Sequence, residues 1–598
     1  MKKKILFLAL AISQVMVSLA QTAMHNIYSR ERVSLNGEWD ILPDPFKGSD
    51  WSQIKDPSKN SLAEVQYEGW QKLKVPGDWN HQRDEYIYYE GNIWYKKSID
   101  YTPQEGKRAF IHFGAVSMHC DVFLNGENLG SHKGAFSPFQ FEVTDKLKSG
   151  QNDLIVRVDN CRSETTIPAL MFDWWNYGGI TRDVDLVYVP ETYIYDYTVG
   201  LADNNPNMLS VKVKLNGAGA ANQRVTISIP EEGITLDMTT NSEGEASHTK
   251  RCKLDLWSTD NPKLYDVVVN SSSDKVDDKI GFRTIEVKGE DILLNGKPIF
   301  LRGINIHEEI AAEQRRSYSQ ADAEFLVQQA VDLGCNYIRL SHYAHNEYMV
   351  KEAERRGILM WEEIPTWQRI KFSDEGVRQT ARTMMMEMIE RDKNRCGIIL
   401  WSISNETRGH NKGRTEFLVE LADEVREKDP TRLVTSALDG SKFAKDEESG
   451  LFYMYNDDPL IDHLDVVGIN QYNGWYAMYP CDPAKLEWRI GEGKPVVMTE
   501  FGSECVYGND EGDTSNLNSW SETYMEQNYR NNVASFANFS NLRGTSPWIL
   551  FDFRSPRRPH ALFQMGWNRK GLTSPSGGRK RAWYVMQEYY QQKADEWE

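Results

Sequence analysis

Between residues 21 and 190 apolar and polar side chains alternate in short bursts separated by turn residues. Ala109-Phe110-Ile111-His112-Phe113, Leu154-Ile155-Val156-Arg157-Val158 and Asp183 to Val189 are such bursts, and Cys120 to Leu124 is followed at once by Asn125-Gly126. Period-two alternation buries one face of a strand, and Asn-Gly accepts the positive φ angles of a tight hairpin at little cost. No long helical periodicity interrupts the pattern, so residues 21–190 are expected to form a β-sandwich. The same rhythm continues over residues 191–288, in Leu209 to Val213, Val225 to Ile229 and Leu264 to Val269. About 100 residues of short strands suit an immunoglobulin-like sandwich, by size and rhythm alone, because the Cys…Trp…Cys signature is missing.

From residue 289 to 598 the pattern changes. Continuous apolar runs now alternate with segments of helical period: Ile299 to Ile304 precedes Ala321 to Leu333, Tyr337 to Leu340 precedes Glu347 to Arg355, Ile358 to Trp361 precedes Val377 to Arg391, and Ile398 to Ile403 precedes Thr415 to Lys428. Leu433 to Ser436, Val466 to Ile469, Val496 to Thr499 and Pro547 to Phe551 complete eight candidate strands. Strands buried on both faces read as unbroken apolar runs, and about 300 residues of this alternation predict a (β/α)8 (TIM) barrel. The chain is thus expected to be multidomain: β-sandwich, immunoglobulin-like β-sandwich, barrel.

The first 20 residues stand apart. Lys2, Lys3 and Lys4 precede an apolar run from Ile5 to Val17 and the small-residue end Ser18-Leu19-Ala20. This is the form of a signal peptide, cleaved before Gln21, and it predicts secretion across the inner membrane to the periplasm or the extracellular space. The run is shorter than the roughly 20 apolar residues that span a bilayer, and no later stretch is long enough, so no membrane partner is expected. A net charge of −18 makes nucleic acid an unsuitable partner. Seven scattered cysteines form neither a disulfide scaffold nor a Cys-x-x-Cys metal pattern, and buried free thiols are expected. No cofactor or metal motif is found, and a homo-oligomer is compatible with the sequence. The charge is uneven, however: Arg554 to Arg581 holds eight Lys or Arg and no Asp or Glu.

Barrel active sites lie at the carboxyl ends of the strands. The fourth strand ends Trp401-Ser402-Ile403-Ser404-Asn405-Glu406 and the seventh ends Met498-Thr499-Glu500-Phe501-Gly502. Two opposed carboxylates are what glycoside hydrolysis requires, one to protonate the leaving oxygen and later activate water, the other to attack the anomeric carbon. Asn405 is placed to donate to a sugar 2-hydroxyl. Strand six leads into Asn470-Gln471-Tyr472-Asn473-Gly474-Trp475-Tyr476, where a tyrosine hydroxyl can orient the nucleophile, and Trp548, ending the eighth predicted strand, can floor the sugar ring.

At these residues the chain resembles glycoside hydrolase family 2. Ser341-His342-Tyr343, Trp401 through Glu406 and Thr499-Glu500-Phe501-Gly502 match its motifs, as do Asn125-Gly126, Asp173-Trp174-Trp175-Asn176-Tyr177-Gly178-Gly179-Ile180 and Gly281-Phe282-Arg283. The resemblance implies a jelly-roll sugar-binding domain, an immunoglobulin-like domain and a catalytic barrel that retains anomeric configuration, with Glu406 as acid/base and Glu500 as nucleophile. Within the basic island, Trp567-Asn568-Arg569-Lys570-Gly571 looks like the Asn-x-Lys motif of the family's β-glucuronidases, which implies that Asn568 and Lys570 bind a substrate carboxylate. Asp173 falls where those enzymes send an Asp from the first domain into the sugar site, the alternative being a structural Asp that caps its own turn. His342, Asn470 and Tyr472 also match. An Arg that some of them place just before Asn-x-Lys is Gln564 here, which leaves part of the carboxylate grip open.

The expected activity is therefore that of a retaining exo-β-glucuronidase acting on a uronide-capped glycan or glycoside. The alternatives are a β-galactosidase or β-galacturonidase of the same family, and a carbohydrate-binding protein on a decayed barrel, against which both glutamates speak. About ten residues separate Trp367, after strand three, from the next helical segment, too few for the long loop that covers the site in some glucuronidases. An open mouth that accepts oligosaccharide leaving groups follows, with Trp367 either stacking on the next sugar or packing on its own scaffold.

Overall fold

The computed structural model describes residues 20–48, 70–408, 411–510, 513–515 and 517–597. The expected signal peptide falls on residues 1–19, outside them, and its last residue, Ala20. Alternation in the first part produces two stacked sheets. Gln21–Thr22, Phe139–Glu142, Lys107–Phe113, Val184–Pro190 and Glu31–Ser34 are neighbours in one; Gln71–Val75, Gly37–Asp44, Asn92–Tyr101, Gly150–Asp159, His119–Leu124 and Glu127–Lys133 in the other. Their inner faces share a core that includes Trp39, Tyr95, Phe113, Phe139 and Val156. The Asn125-Gly126 hairpin has φ of 51° and 87°, as its sequence requires. The second part is a seven-stranded immunoglobulin-like sandwich: Tyr193–Leu201, Met208–Asn216 and Glu245–Arg251 face Ile234–Thr239, Arg224–Ile229, Tyr265–Asn270 and Lys275–Ile280. Along Ile234–Thr239 burial alternates residue by residue.

The barrel is closed by eight parallel strands: β1 (Leu301–Ile306), β2 (Tyr337–Leu340), β3 (Leu359–Glu363), β4 (Ile398–Asn405), β5 (Leu433–Leu438), β6 (Val466–Asn470), β7 (Val496–Glu500) and β8 (Leu542–Thr545). Helices α1 (Gln320–Leu333), α2 (Glu347–Arg355), α3 (Glu375–Asp392), α4 (Arg414–Lys428), α5 (Glu522–Phe536) and α6 (Arg581–Trp597) pack around it. Among the described residues no α-helix follows β5 or β6. Their places are taken by 3-10 turns at Pro459–His463 and Pro483–Lys485 and a small sheet of Lys442–Lys445, Phe452–Tyr455 and Glu487–Arg489.

One strand differs from expectation. The eighth is Leu542–Thr545, not Pro547 to Phe551. Arg543 and Gly544 interrupt its apolar run, but Gly544 lets it close on β1: a Cβ there would lie 2.6 Å from Leu301 Cβ and 3.0 Å from Leu301 O. The apolar segment Pro547 to Phe551 instead crosses the carboxyl end of the barrel, where Trp548 N–H donates to Phe501 O (3.1 Å) and Leu550 N–H to Asn305 O (3.0 Å). Its hydrophobicity reflects burial over the mouth.

The amino end of the barrel is stoppered by a sheet of Ile285–Lys288, Asp291–Leu294 and Lys297–Pro298 and by the fully buried Trp257. At the other end the first sandwich leans on the barrel. Ile167, Ala169, Phe172 and Trp174 belong to the barrel's own apolar cluster, and Arg182 pairs with Glu308 at 3.2 Å with both side chains buried. Four of the seven cysteines, Cys120, Cys335, Cys396 and Cys505, are buried, and all seven are unpaired. No described helix is long and apolar enough to cross a membrane.

Gly544→Ala is expected to lower stability by about 1–3 kcal/mol, because the added methyl meets backbone and Cβ rather than a mobile side-chain end. The checks are a lower melting temperature and an unchanged far-ultraviolet spectrum.

Candidate active site

Glu406 follows β4 in the left-handed region, at φ 51°, a conformation that costs a glutamate energy and turns its side chain out of the strand's alternation. Its N–H donates to Ala437 O of β5 at 2.8 Å. Its carboxylate is half-buried and held from two sides, by Asn470 Nδ2 (3.1 Å) and Gln368 Nε2 (2.8 Å). Glu500, ending β7, is only 4% exposed. It accepts hydrogen bonds from Arg339 Nη1 (2.8 Å) and the Tyr472 hydroxyl (2.6 Å). Burial raises its pKa, opposed chiefly by Arg339, reinforced by the charge of Glu406, and eased by His342 and Tyr472; the net direction is upward. Two carboxylates thus share one site in different surroundings, as an acid and a nucleophile need.

Arg339, in β2, connects them. It is fully buried and spends its guanidinium on Glu500, on both oxygens of Glu363, on Asn305 Oδ1 (3.0 Å) and on Asn405 Oδ1 (2.7 Å). Burial alone would raise Glu363, but Arg339, His342 and the Trp361 indole hold it below the ordinary glutamate value. His342 Nδ1 lies 2.7 Å from Glu363 Oε1, so this nitrogen carries the hydrogen, while Nε2 lies 3.8 Å from Glu500. The imidazole stacks on Trp548, centroids 4.7 Å apart, which makes an aromatic floor although Trp548 follows β8 rather than ending it. Asn405 and Asn470 divide their work. Asn470 donates to Asn405 Oδ1 and Glu406 and accepts from Thr499 (2.6 Å), so its amide is spent inside the protein. Asn405 Oδ1 is fixed by Arg339 and Asn470, and among the described residues its buried Nδ2 has no partner.

A second cluster adjoins the first across Tyr472. Its hydroxyl contacts Glu500, and Lys570 Nζ lies over its ring at 5.4 Å. Lys570 Nζ donates to the Tyr476 hydroxyl (2.8 Å) and to Glu504 (3.0 Å), and both partners of that ion pair are buried. Burial would raise Glu504, but Lys570, Arg558, Gln564 and the Arg569 N–H bring it down to about 2. Tyr476 is 61% exposed, but its hydroxyl is partly desolvated against the cluster, which would raise its pKa, and the cations Lys570 and Arg558 hold it below its ordinary value. Asn568, fully buried, orients the Lys570 backbone with its Oδ1 (3.1 Å) and reaches Asp173 with its Nδ2 (3.4 Å). Asp173 does not cap its own turn. Among the described residues, every hydrogen bond to its carboxylate comes from the barrel, from Ser555, Arg558 and Asn568. Trp367 is 5% exposed and meets Trp174 edge-on at 5.9 Å, so it packs on the scaffold.

All ten residues singled out in the sequence lie in these two linked clusters. Five others that shape them carry no expectation from the sequence: Arg339, Glu363, Gln368, Glu504 and Arg558. A charge inside an apolar barrel strand was the available signal for Arg339. Gln564 serves Glu504 (2.9 Å), and Arg558 reaches the same carboxylate at 3.3 Å. Among the described residues no group of three His, Cys, Asp or Glu side chains is spaced to hold a metal ion.

Three family models match along the chain: the sugar-binding domain of glycosyl hydrolases family 2 at residues 86–190, the family 2 model at 192–283, and the family 2 TIM barrel domain at 285–540. The chain belongs to glycoside hydrolase family 2. It is a glycoside hydrolase of the retaining kind general to that family. Relatives within the family include a β-glucuronidase of Streptococcus agalactiae, 26% identical over 84% of this chain and 90% of that protein. A β-glucuronidase of Bacteroides fragilis is 27% identical over 86% and 77%. Among solved structures, the β-glucuronidase of Bifidobacterium dentium complexed with coumarin-3-O-glucuronide superposes with a TM-score of 0.81 at 23% identity, covering 96% of this chain and 99% of that one.

In this family 2 site, Arg339→Met is expected to cost about 3–5 kcal/mol, because it strands Glu363 and Glu500 as buried, uncompensated charges. Urea unfolding measures the loss, and Arg339→Met with Glu363→Gln should recover part of it.

Proposed function

We propose that the protein is a secreted retaining exo-β-glucuronidase that removes terminal β-D-glucuronate from glycans or glycosides. The observation that carries the substrate is the cluster of Lys570, Asn568 and Arg558, one tyrosine away from Glu500. Lys570 has three N–H donors and gives two to protein partners, leaving one for a ligand oxygen. A charge-assisted bond to the sugar carboxylate, flanked by Arg558, fits a uronate better than a neutral sugar. The β-glucuronidase relatives support the same reading. In it, Asp173 sets Arg558 and Asn568 in place from the first sandwich, and the basic and apolar leader at residues 1–20 directs export.

The chemistry then follows from the two carboxylates. Glu500, ionised, attacks the anomeric carbon while Glu406 gives its proton to the leaving oxygen, and a glycosyl ester forms on Glu500. Water then attacks the same carbon and passes its proton to Glu406, which releases glucuronate and restores both groups. Arg339 and Tyr472 aim Glu500 and favour its anion. Gln368 and Asn470 hold Glu406. The unspent Nδ2 of Asn405 is available to the sugar 2-hydroxyl, a contact that strengthens as charge develops at the anomeric carbon. His342 and Trp548 form the floor.

The test is a panel of aryl β-glucuronide, galacturonide, galactoside and glucoside. The glucuronide should be cleaved fastest, and Lys570→Ala should cut its kcat/KM by at least about tenfold while sparing neutral sugars, since a hydrogen bond to a charged group contributes about 1.5–3 kcal/mol. Equal losses on charged and neutral substrates would make Lys570 structural and overturn the uronate reading. A second expectation concerns pH. The nucleophile acts as the anion, so a raised Glu500 pKa makes kcat/KM fall, as pH is lowered, above the roughly 4.3 of an ordinary glutamate. Tyr472→Phe removes a bond that favours the anion, and the acid limb of the pH–rate profile should move further up.

A further inference from the structure

Beside Glu406, a cleft of about 770 Å³ opens between the first sandwich and the barrel loops. Glu406 lines it; Glu500, Asn568 and Lys570 do not. If Glu406 protonates the glycosidic oxygen, as read above, the group beyond that oxygen enters this cleft. Its barrel wall carries Arg369, Lys371, Arg408 and Arg557, and among the described residues the only carboxylates in the lining are Glu406 and Glu164. This is a concentration of positive charge in a protein whose net charge is −18.

Most of these cations are unspent. Arg369 and Lys371 are exposed and, among the described residues, neither has a side-chain hydrogen bond or ion pair. Arg557 lies over the Trp367 ring at 5.2 Å and reaches Gln368 Oε1 at 3.4 Å, with no carboxylate partner among the described residues. Arg408 alone has one, Asp439 at 3.6 Å. The opposite wall presents Leu170 and Met171, 46% and 47% exposed. An apolar wall facing a cationic one suits a sugar ring, which offers C–H groups on one face and can carry a charged substituent at its edge. A neutral or aromatic leaving group would use only the first wall and leave the cations idle.

We propose that this cleft is a leaving-group subsite for an anionic sugar, one bearing a sulfate ester or a carboxylate, so that the enzyme trims acidic glycans. The proposal rests on the role given above to Glu406 and is tested apart from it. In the first arm, a glucuronate-capped neutral disaccharide is compared with its sulfated and its uronate-containing counterparts. Both anionic forms, or one of them, should have kcat/KM about tenfold higher at low salt, and the preference should shrink as ionic strength rises through physiological values, where screening acts over about 8 Å. The relative rates of the two anionic forms identify which substituent the cleft takes. Arg369→Gln with Lys371→Gln should abolish the preference while leaving aryl glucuronide hydrolysis unchanged. Equal rates on neutral and anionic disaccharides at low salt, or a preference that survives in the double variant, would overturn it. In the second arm, calorimetry reads binding of the sulfated and the uronate-containing leaving-group oligosaccharides without any glucuronate, against the neutral one. Tighter binding of an anionic form supports the subsite even if the aryl panel identifies another terminal sugar, and no difference in binding overturns it. Loss of the glucuronide reading would appear in the aryl panel alone.

Discussion

The site is organised around one buried cation. Arg339 stands at the carboxyl end of β2 with no exposed surface, and a guanidinium there is tolerable only if all its hydrogens find acceptors of matching charge. It meets this demand by drawing in Glu363, Glu500, Asn305 and Asn405 from four other elements. The positions of these groups are therefore mutually dependent. Glu500 is aimed because Arg339 is fixed; Asn405 keeps its amide hydrogens unspent because its oxygen is taken; His342 has a defined tautomer because Glu363 is held ionised. Replacing any one of them disturbs the rest, as expected of a buried polar network.

Much of this architecture was legible in the sequence, and the exceptions have physical causes. Seven barrel strands stand out because a strand buried on both faces is mostly apolar. β8 escaped because its role is steric: Gly544 and Arg543 serve closure and an ion pair with Asp291 (2.6 Å), and neither resembles a strand core. The apolar run just beyond it was more conspicuous because it is buried over the mouth. α5 was not evident because it buries Asn528, Asn532 and Ser535 along with its hydrophobic residues, which blurs its period.

Glu406 and Glu500 were conspicuous because each ends an apolar run at the face where chemistry happens. Arg339 was not, since a single charge in a strand reads as an interruption until its partners are known. Arg558 was hidden differently, as one of several cations in a basic stretch with nothing local to distinguish it. Its importance is conferred by Asp173, nearly 400 residues away in the chain, and by Glu504 in the loop after β7. Contacts of that range leave no mark on periodicity or composition.

The pairing of Lys570 and Arg558 with Glu504 and Asp173 has one more consequence. The cluster is close to electrically balanced before any ligand arrives, so it does not behave as a bare positive trap. A small free anion gains little there, because the attraction of the two cations is largely cancelled by carboxylates already in contact with them. Only an anion that brings further contacts of its own, as a carboxylate fixed to a hydroxyl-bearing ring does, gains enough to compete. A salt-rich medium would then leave the pocket unoccupied, and selectivity would come from internal competition rather than from excess charge.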